Sequence, residues 1–204
     1  MPSSSPTRKR FIAANELLFD SFRLGRQVFD SGWRPDVLIA LWRGGTPVGV
    51  AVHEILDRLG VPTRHMAVKC QSYTGIDRRG PVRIENAATL LATVRPGHRV
   101  LVVDDILDSG RTARAVLRLL TPRAAETRLA VIYWKLRASA TGLRPDYHMH
   151  KTGVWIVFPH ELTGLSPAEI RRKDPALRAL VRGRLAPAGA AIPHCAARRS
   201  RARR

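Results

Sequence analysis

The sequence predicts an α/β fold: an open, mostly parallel twisted sheet flanked by helices. Two patterns carry that expectation. Short apolar runs alternate with amphipathic stretches along the chain, as strand–helix–strand units require. The runs themselves, such as "DVLIAL" and "VLVV", are unbroken and do not alternate with polar residues, which suits strands covered on both faces. A chain of 204 residues with 45% hydrophobic content is large enough for one well-buried domain.

The elements follow in order. Residues 11–25, "FIAANELLFDSFRLG", form an opening helix. "DVLIAL" (36–41) is a strand, followed by "WRGGTPVG" and a helix, "GVAVHEILDRLG". Val50, Ile55 and Leu59 recur there near helical spacing, and Gly60 followed by Pro62 ends the helix. "TRHMAVKC" (63–70) is the next strand; "QSYTGIDRRGPVRIEN" is polar and Gly-rich, a mobile loop or a ribbon. "HRVLVVDDI" is a strand, "TARAVLRLLTP" a helix, "TRLAVIYWKL" a strand and "GVWIVFPHE" the last strand. No internal repeat is visible.

The formal charge of +19 is uneven. Residues 1–10 hold three basic residues and no acid, and residues 171–204 hold eleven basic residues and one acid, Asp174. That leaves 21 basic and 15 acidic residues, or +6, in 11–170. The expected organisation is a basic extension over 1–10, a domain over 11–170 and a basic tail over 171–204. Its last ~20 residues have too little apolar content to order. A basic domain suits an anionic substrate, and the tail suits nucleic acid or another polyanion. No apolar run approaches the ~20 residues needed to span a bilayer, and "MPSSSPTRKR" does not read as a secretory leader. Only Cys70 and Cys195 are present, so a disulfide framework is not expected and a reducing cytoplasm is.

The chemistry concentrates in "VLVVDDILDSGRTA", Val100 to Ala113. Asp104 and Asp105 fall at the carboxyl end of a strand, where open parallel sheets gather their ligands. Adjacent carboxylates there accept from a vicinal diol or hold Mg²⁺, directly or through water. Ser109, Gly110 and Thr112 then precede a helix starting near Ala113, and helix N-terminal amides and hydroxyls bind phosphate. Diol and phosphate together are the parts of a ribose 5-phosphate. The plainer alternative, that Asp108 or Ser109 merely caps the helix, leaves the Asp pair without a role. Neither G-x-x-x-x-G-K-[ST] nor G-x-G-x-x-G occurs, which argues against ATP hydrolysis and dinucleotide redox chemistry. His148 and His150, two apart in "YHMHK", have no evident third metal ligand and read as exposed turn histidines.

The same stretch resembles the phosphoribosyl-pyrophosphate signature of type I phosphoribosyltransferases, in its two acids followed by D-[ST]-G-x-T. Three further stretches support the likeness in order: "LWRGGTPVG" for the pyrophosphate loop, "QSYTG" for the flexible loop, and "PDYHMHKTGVWIVFPHE" for the hood of xanthine-guanine and hypoxanthine-type enzymes. The resemblance covers roughly residues 11–165. It implies the type I phosphoribosyltransferase fold with a small hood. It also implies transfer of the phosphoribosyl group of 5-phosphoribosyl 1-pyrophosphate to a 6-oxopurine, in purine salvage, with Mg²⁺ as cofactor.

Residue by residue, the resemblance implies that Asp104 and Asp105 bind the ribose hydroxyls and help position the metal. Ser109, Gly110, Arg111 and Thr112 would cradle the 5-phosphate, and Arg43, Gly44 and Gly45 the pyrophosphate, in a loop where relatives can have a cis peptide. Ser72 and Tyr73 would belong to the loop that closes over the site. Asp108 would face N7 of the purine as a general base. Lys135 would donate to the O6 carbonyl, Trp155 would stack on the ring, and the backbone of Ile156 would read the base edge. The sequence departs from the pattern at Ser109, where threonine is commoner, at Arg111, which adds charge, and at His160, where tryptophan is frequent. Relatives are commonly dimers or tetramers, so a homo-oligomer is expected. A second class of function stays open: a regulator of the same fold that contacts nucleic acid through its basic tail.

Overall fold

The structure, a computed structural model, describes residues 8–75, 78–136 and 141–181, with the side chains of 71–81 outside that description. The chain divides into two units, Met1–His160 and Glu161–Arg204. The first contains β1 (Lys9–Phe11), α1 (Ala14–Asp30), β2 (Val37–Trp42), α2 (Gly45–Arg58), β3 (Arg64–Gly75), β4 (Arg78–Ile84) and α3 (Ala87–Thr93). It continues with β5 (Arg99–Leu107), α4 (Arg111–Leu120), β6 (Glu126–Lys135), β7 (Tyr147–Thr152) and β8 (Trp155–Val157).

Six strands form the main sheet in the order β4-β3-β2-β5-β6-β7, parallel throughout except for the antiparallel edge pair β3–β4. Burial on both faces accounts for the unbroken apolar runs. Along β5, Leu101 and Val103 pack with Leu24 and Val28 of α1 and Val48, Val52 and Leu56 of α2. Val100 and Val102 pack on the opposite face with Leu90 of α3 and Val116 and Leu120 of α4. Successive side chains point to opposite faces of a strand, so a strand with helices on both sides needs an apolar residue at every position. Val100 to Val103 are all fully buried.

Several boundaries differ from those the sequence predicts. Phe11 does not open the first helix; it ends β1, which pairs in parallel with β8 from Lys9↔Trp155 to Phe11↔Val157. The domain therefore takes in Lys9 and Arg10 of the expected basic extension, because β8 would otherwise lie unpaired. α1 runs on to Asp30, carried by buried Val28 and by the Arg26–Asp30 ion pair at i,i+4. α2 starts at Gly45, within the stretch expected to be loop. α3 and β7 have no counterpart among the predicted elements. β7 is a half-polar edge strand, "YHMHKT", so His148 and His150 stand on a strand and not on a turn. His150 Nε2 lies 2.6 Å from Asp20 Oδ2, and the His148 ring meets Trp134 edge-on. The Gly-rich "QSYTG" region is a ribbon: β3 and β4 pair antiparallel from Cys70↔Ile84 to Gly75↔Arg78, with a register shift between Ser72 and Thr74.

In the second unit, α5 (Pro167–Lys173) begins with a capping box, Ser166 and Glu169 satisfying each other's backbone amides, and α6 (Leu177–Leu180) follows. Arg171, Arg172 and Lys173, expected in the tail, form the last turn of α5. The expectation for the last stretch of tail falls on residues 182–204, outside the described residues. Among the described residues, no helix is long and apolar enough to cross a membrane.

Helix α1 meets α2 through a glycine. A Cβ at Gly25 would collide with Ile55 Cγ2 and lie 3.2 Å from Val52 Cα. Alanine gains about 1 kcal/mol of helix propensity over glycine, whereas overpacking costs about 1–3 kcal/mol. Because Ile55 is β-branched and Val52 presents backbone, Gly25→Ala is expected to lower thermal stability by about 1–2 kcal/mol. A melt followed by circular dichroism checks this; an unchanged or raised midpoint means α2 can retreat.

Candidate active site

The end of β5 is where the predicted parts meet. Asp104 still pairs in the sheet, opposite Val131 of β6, and its Oδ1 accepts the Asp105 amide at 3.0 Å. The Gly45 amide also donates to Asp104, and the two carboxyl groups hydrogen-bond each other. Burial and the neighbouring Asp105 charge push the Asp104 carboxyl well above the usual carboxylate range. Asp105 itself is buried.

Gly44 and Gly45 are pressed against this pair. A Cβ on Gly44 would collide with the Asp105 carboxylate, and one on Gly45 would collide with the Val103 carbonyl and lie 3.0 Å from Asp104 Cα. The Arg-Gly-Gly stretch is therefore required by packing: only a backbone without side chains fits between β2 and the acidic end of β5. The Trp42–Arg43 peptide is cis, and Arg43 is exposed beside it. Gly45 then opens α2.

A few residues beyond the acid pair, the chain turns into α4. Gly110 is the N-cap with φ 74°, and no side chain caps the helix, so the plainer reading of Asp108 or Ser109 as a cap does not hold. Arg111 and Thr112 lie inside the first turn, so the helix starts two residues before the predicted Ala113. Their amides and the Ser109 and Thr112 hydroxyls are thus grouped at a helix N-terminus, with the partial positive charge that favours phosphate. Gly110 is also crowded: a Cβ would meet Thr141 Oγ1 and come within 3.6 Å of Leu143 Cβ. The Arg114 guanidinium donates to the Thr141 carbonyl, holding that segment on the loop.

Asp108 pairs across to the neighbouring strand. Its Oδ2 accepts from Lys135 Nζ, at the end of β6, at 3.0 Å. The same ammonium stands 4.9 Å from the centre of the Trp155 ring. Lys135 is only 14% exposed at its side chain, whereas the Asp108 side chain is 47% exposed and Trp155 half-exposed. Trp155 is therefore no core residue: its ring is half-exposed, with the Lys135 ammonium over it and the Asp108 carboxylate paired to that ammonium. Ile156 is buried. The Trp155 amide donates to Arg8 and the Val157 carbonyl accepts from Ile12, so both face β1. Backbone direction alternates along a strand, which turns the N–H and C=O of Ile156 the other way.

One expectation lies partly outside the described residues. The backbones of Ser72 and Tyr73 lie in β3, but their side chains are outside the described ones. Among the described residues no group of three or more His, Cys, Asp and Glu side chains is placed to hold a metal ion. One contact has no forerunner in the sequence: His160 Nε2 lies 3.2 Å from Asp105 Oδ2. The sequence marks His160 only as a departure from a family pattern, and nothing in its spacing points to Asp105, 55 residues earlier.

Comparison with known proteins bears on the same region. The family profile described as "Phosphoribosyl transferase domain" matches residues 9–164. The chain is 33% identical over 147 residues, 70% of its length, to a xanthine-guanine phosphoribosyltransferase of Cereibacter sphaeroides, of which it covers 78%. It is 31% identical over 122 residues, 56% of its length, to an adenine phosphoribosyltransferase of Sphingopyxis alaskensis, of which it covers 66%. Among solved structures, a purine phosphoribosyltransferase from Pyrococcus horikoshii superposes with a TM-score of 0.61 at 24% identity, over 78% of this chain and 97% of that one. With its parallel sheet, its acid pair at the end of β5 and its phosphate-type loop before α4, the chain belongs to the phosphoribosyltransferase family.

Proposed function

We propose that the protein transfers the phosphoribosyl group of 5-phosphoribosyl 1-pyrophosphate to a 6-oxopurine (xanthine, guanine or hypoxanthine), releasing pyrophosphate and forming the nucleoside monophosphate. The observation that carries the choice of base is the 3.0 Å Asp108–Lys135 pair beside the half-exposed Trp155 ring. N7 and O6 are neighbours on one edge of a 6-oxopurine. A carboxylate that accepts from N7–H and an ammonium that only donates, toward O6, match that edge from adjacent positions. Adenine offers an amino group where O6 would be, and the ammonium has no acceptor for it. Curated relatives bear both xanthine-guanine and adenine names, so this local chemistry supports the assignment more than the comparisons do.

In the proposed reaction, a ring nitrogen of the base bonds to C1′ as the bond from C1′ to the pyrophosphate oxygen breaks. Asp108 takes the proton the ring gives up, a general-base role. The amides around Ser109 to Thr112 hold the 5-phosphate, and Arg43 with the Gly44–Gly45 backbone holds the leaving group, where charge grows in the transition state. Asp104 and Asp105 accept from the ribose hydroxyls. The donor set also fits Mg²⁺: two hard carboxylates are what that ion takes from protein when substrate oxygens and water complete its shell. When bound, it supplies charge neutralisation at the pyrophosphate. We assign the protein to the cytoplasm and to a homodimer or homotetramer on the same family grounds. The alternative, nucleic-acid contact through the tail, rests on the composition of 171–204 alone.

Three expectations follow. In an assay of pyrophosphate release, at least one of xanthine, guanine and hypoxanthine is turned over, and adenine is worse by on the order of 10⁴ in kcat/KM; turnover of adenine alone overturns the Asp108–Lys135 argument. Asp108→Asn lowers kcat by about 10²–10⁴ and leaves binding of phosphoribosyl pyrophosphate near the wild-type value. Equal loss of both would make Asp108 a support of the phosphate loop. Asp104→Asn trades activity for stability. The raised Asp104 carboxyl binds its proton more tightly in the folded chain than in the unfolded one. Its stabilising contribution is therefore fully present below the unfolded value of about 4 and is lost as pH rises through the folded value. Calorimetry should show Asp104→Asn melting above wild type at pH 8, with the gap closing on acidification, while turnover falls away. A lower midpoint at pH 8 would contradict this.

A further inference from the structure

His160 lies three residues past the end of β8, outside every element of the sheet. Two contacts fix its ring. It stacks on fully buried Phe158, with centroids 5.4 Å apart and planes within 9°, and its Nε2 stands 3.2 Å from Asp105 Oδ2. Besides the hydrogen bond it shares with the Asp104 carboxyl, Asp105 has His160 Nε2 as a polar neighbour. Its carboxylate is buried, the Gly44 backbone crowds it from one side, and on the other it faces a second carboxyl group. A buried carboxylate oxygen without a donor is costly, and one with a loose donor is free to rotate.

We infer that His160 is a positioning residue of the proposed reaction: its Nε2–H holds the Asp105 carboxylate in the orientation that receives the ribose hydroxyls and metal. This inference rests on the reading given under Proposed function. The geometry also ties the two ends of the site together. Trp155 and Ile156, which face the proposed base site, are joined to His160 through Val157, Phe158 and Pro159, so the strand that meets the base is anchored to the acid that meets the sugar. Phe158 sets the plane of the imidazole, and Asp105 lies at its Nε2.

The test uses the full chain and two substitutions. His160→Phe keeps a ring to stack on Phe158 and removes the donor; His160→Gln removes the ring and keeps a donor near the position of Nε2. Calorimetric binding of phosphoribosyl pyrophosphate with Mg²⁺ should weaken about tenfold in His160→Phe, the scale of one hydrogen bond to a charged group. His160→Gln should recover most of that loss. The KM for the purine should stay within about twofold of wild type in both, since uniform damage would move every parameter. Imidazole ¹⁵N spectra give a second readout: the His160 nitrogens, identified by their loss in His160→Gln, should shift in Asp105→Asn and stay in place in Asp108→Asn. Unchanged binding in His160→Phe, failure of Gln to recover it, or nitrogens indifferent to Asp105→Asn would each overturn the inference. If wild type binds phosphoribosyl pyrophosphate but turns over no purine, the proposed function fails while binding and spectra still judge His160. If it binds none, the functional reading falls and the spectra alone decide the tether.

Discussion

The close approach of Gly44 and Gly45 to the acidic end of β5 is the constraint on which the site depends. Asp104 and Asp105 sit toward the carboxyl end of β5, where two adjacent carboxyls resist burial in the charged form. The glycine backbone packs against both. It fills space no side chain can share with Val103 and Asp105, and the Gly45 amide donates to Asp104. Because Gly45 also opens α2, the loop that docks on the acids is held by a helix whose Val48, Val52 and Leu56 are fully buried in the core. Core packing and the placing of the acid pair are therefore one arrangement, reached from its two ends.

The raised Asp104 carboxyl shows the direction of the compromise. An acid pair that resists ionisation costs stability at neutral pH, a cost that the ribose hydroxyls and cation of the proposed reaction would offset. Stability given up at functional sites is a common pattern in proteins, and here its source is two neighbouring residues on one strand. Lys135 and Asp108 follow the opposite logic. They neutralise each other in the free protein, so neither stands uncompensated before a ligand arrives.

Legibility in the sequence tracked how local each signal was. The double-sided burial of β2, β5 and β6 was readable, because an unbroken apolar run of that length fits a strand covered on both faces and little else. The acid pair and the turn at Gly110 were readable because they lie within ten residues of one another. β7 was missed because an edge strand with "YHMHKT" obeys no apolar pattern, and α3 because seven residues give too short a window for a period. β1 was hidden by its charge: Lys9 and Arg10 are strand residues only because β8 supplies a partner across most of the chain. The His160–Asp105 contact depends on tertiary placement entirely, and no spacing rule brings those positions together.

The pairing of β1 with β8 has a consequence for how the two ends of the domain depend on each other. By engaging the backbone of residues 155 and 157, residues 8 to 12 determine which peptide groups of that strand are left facing away from β1. The start of the domain thus acts as a template of parity. A slip of one residue would present Trp155 and Val157 where Ile156 now stands, and would invert the donor and acceptor positions offered along the strand. The donor and acceptor order along that strand is in this sense written by the segment paired with it.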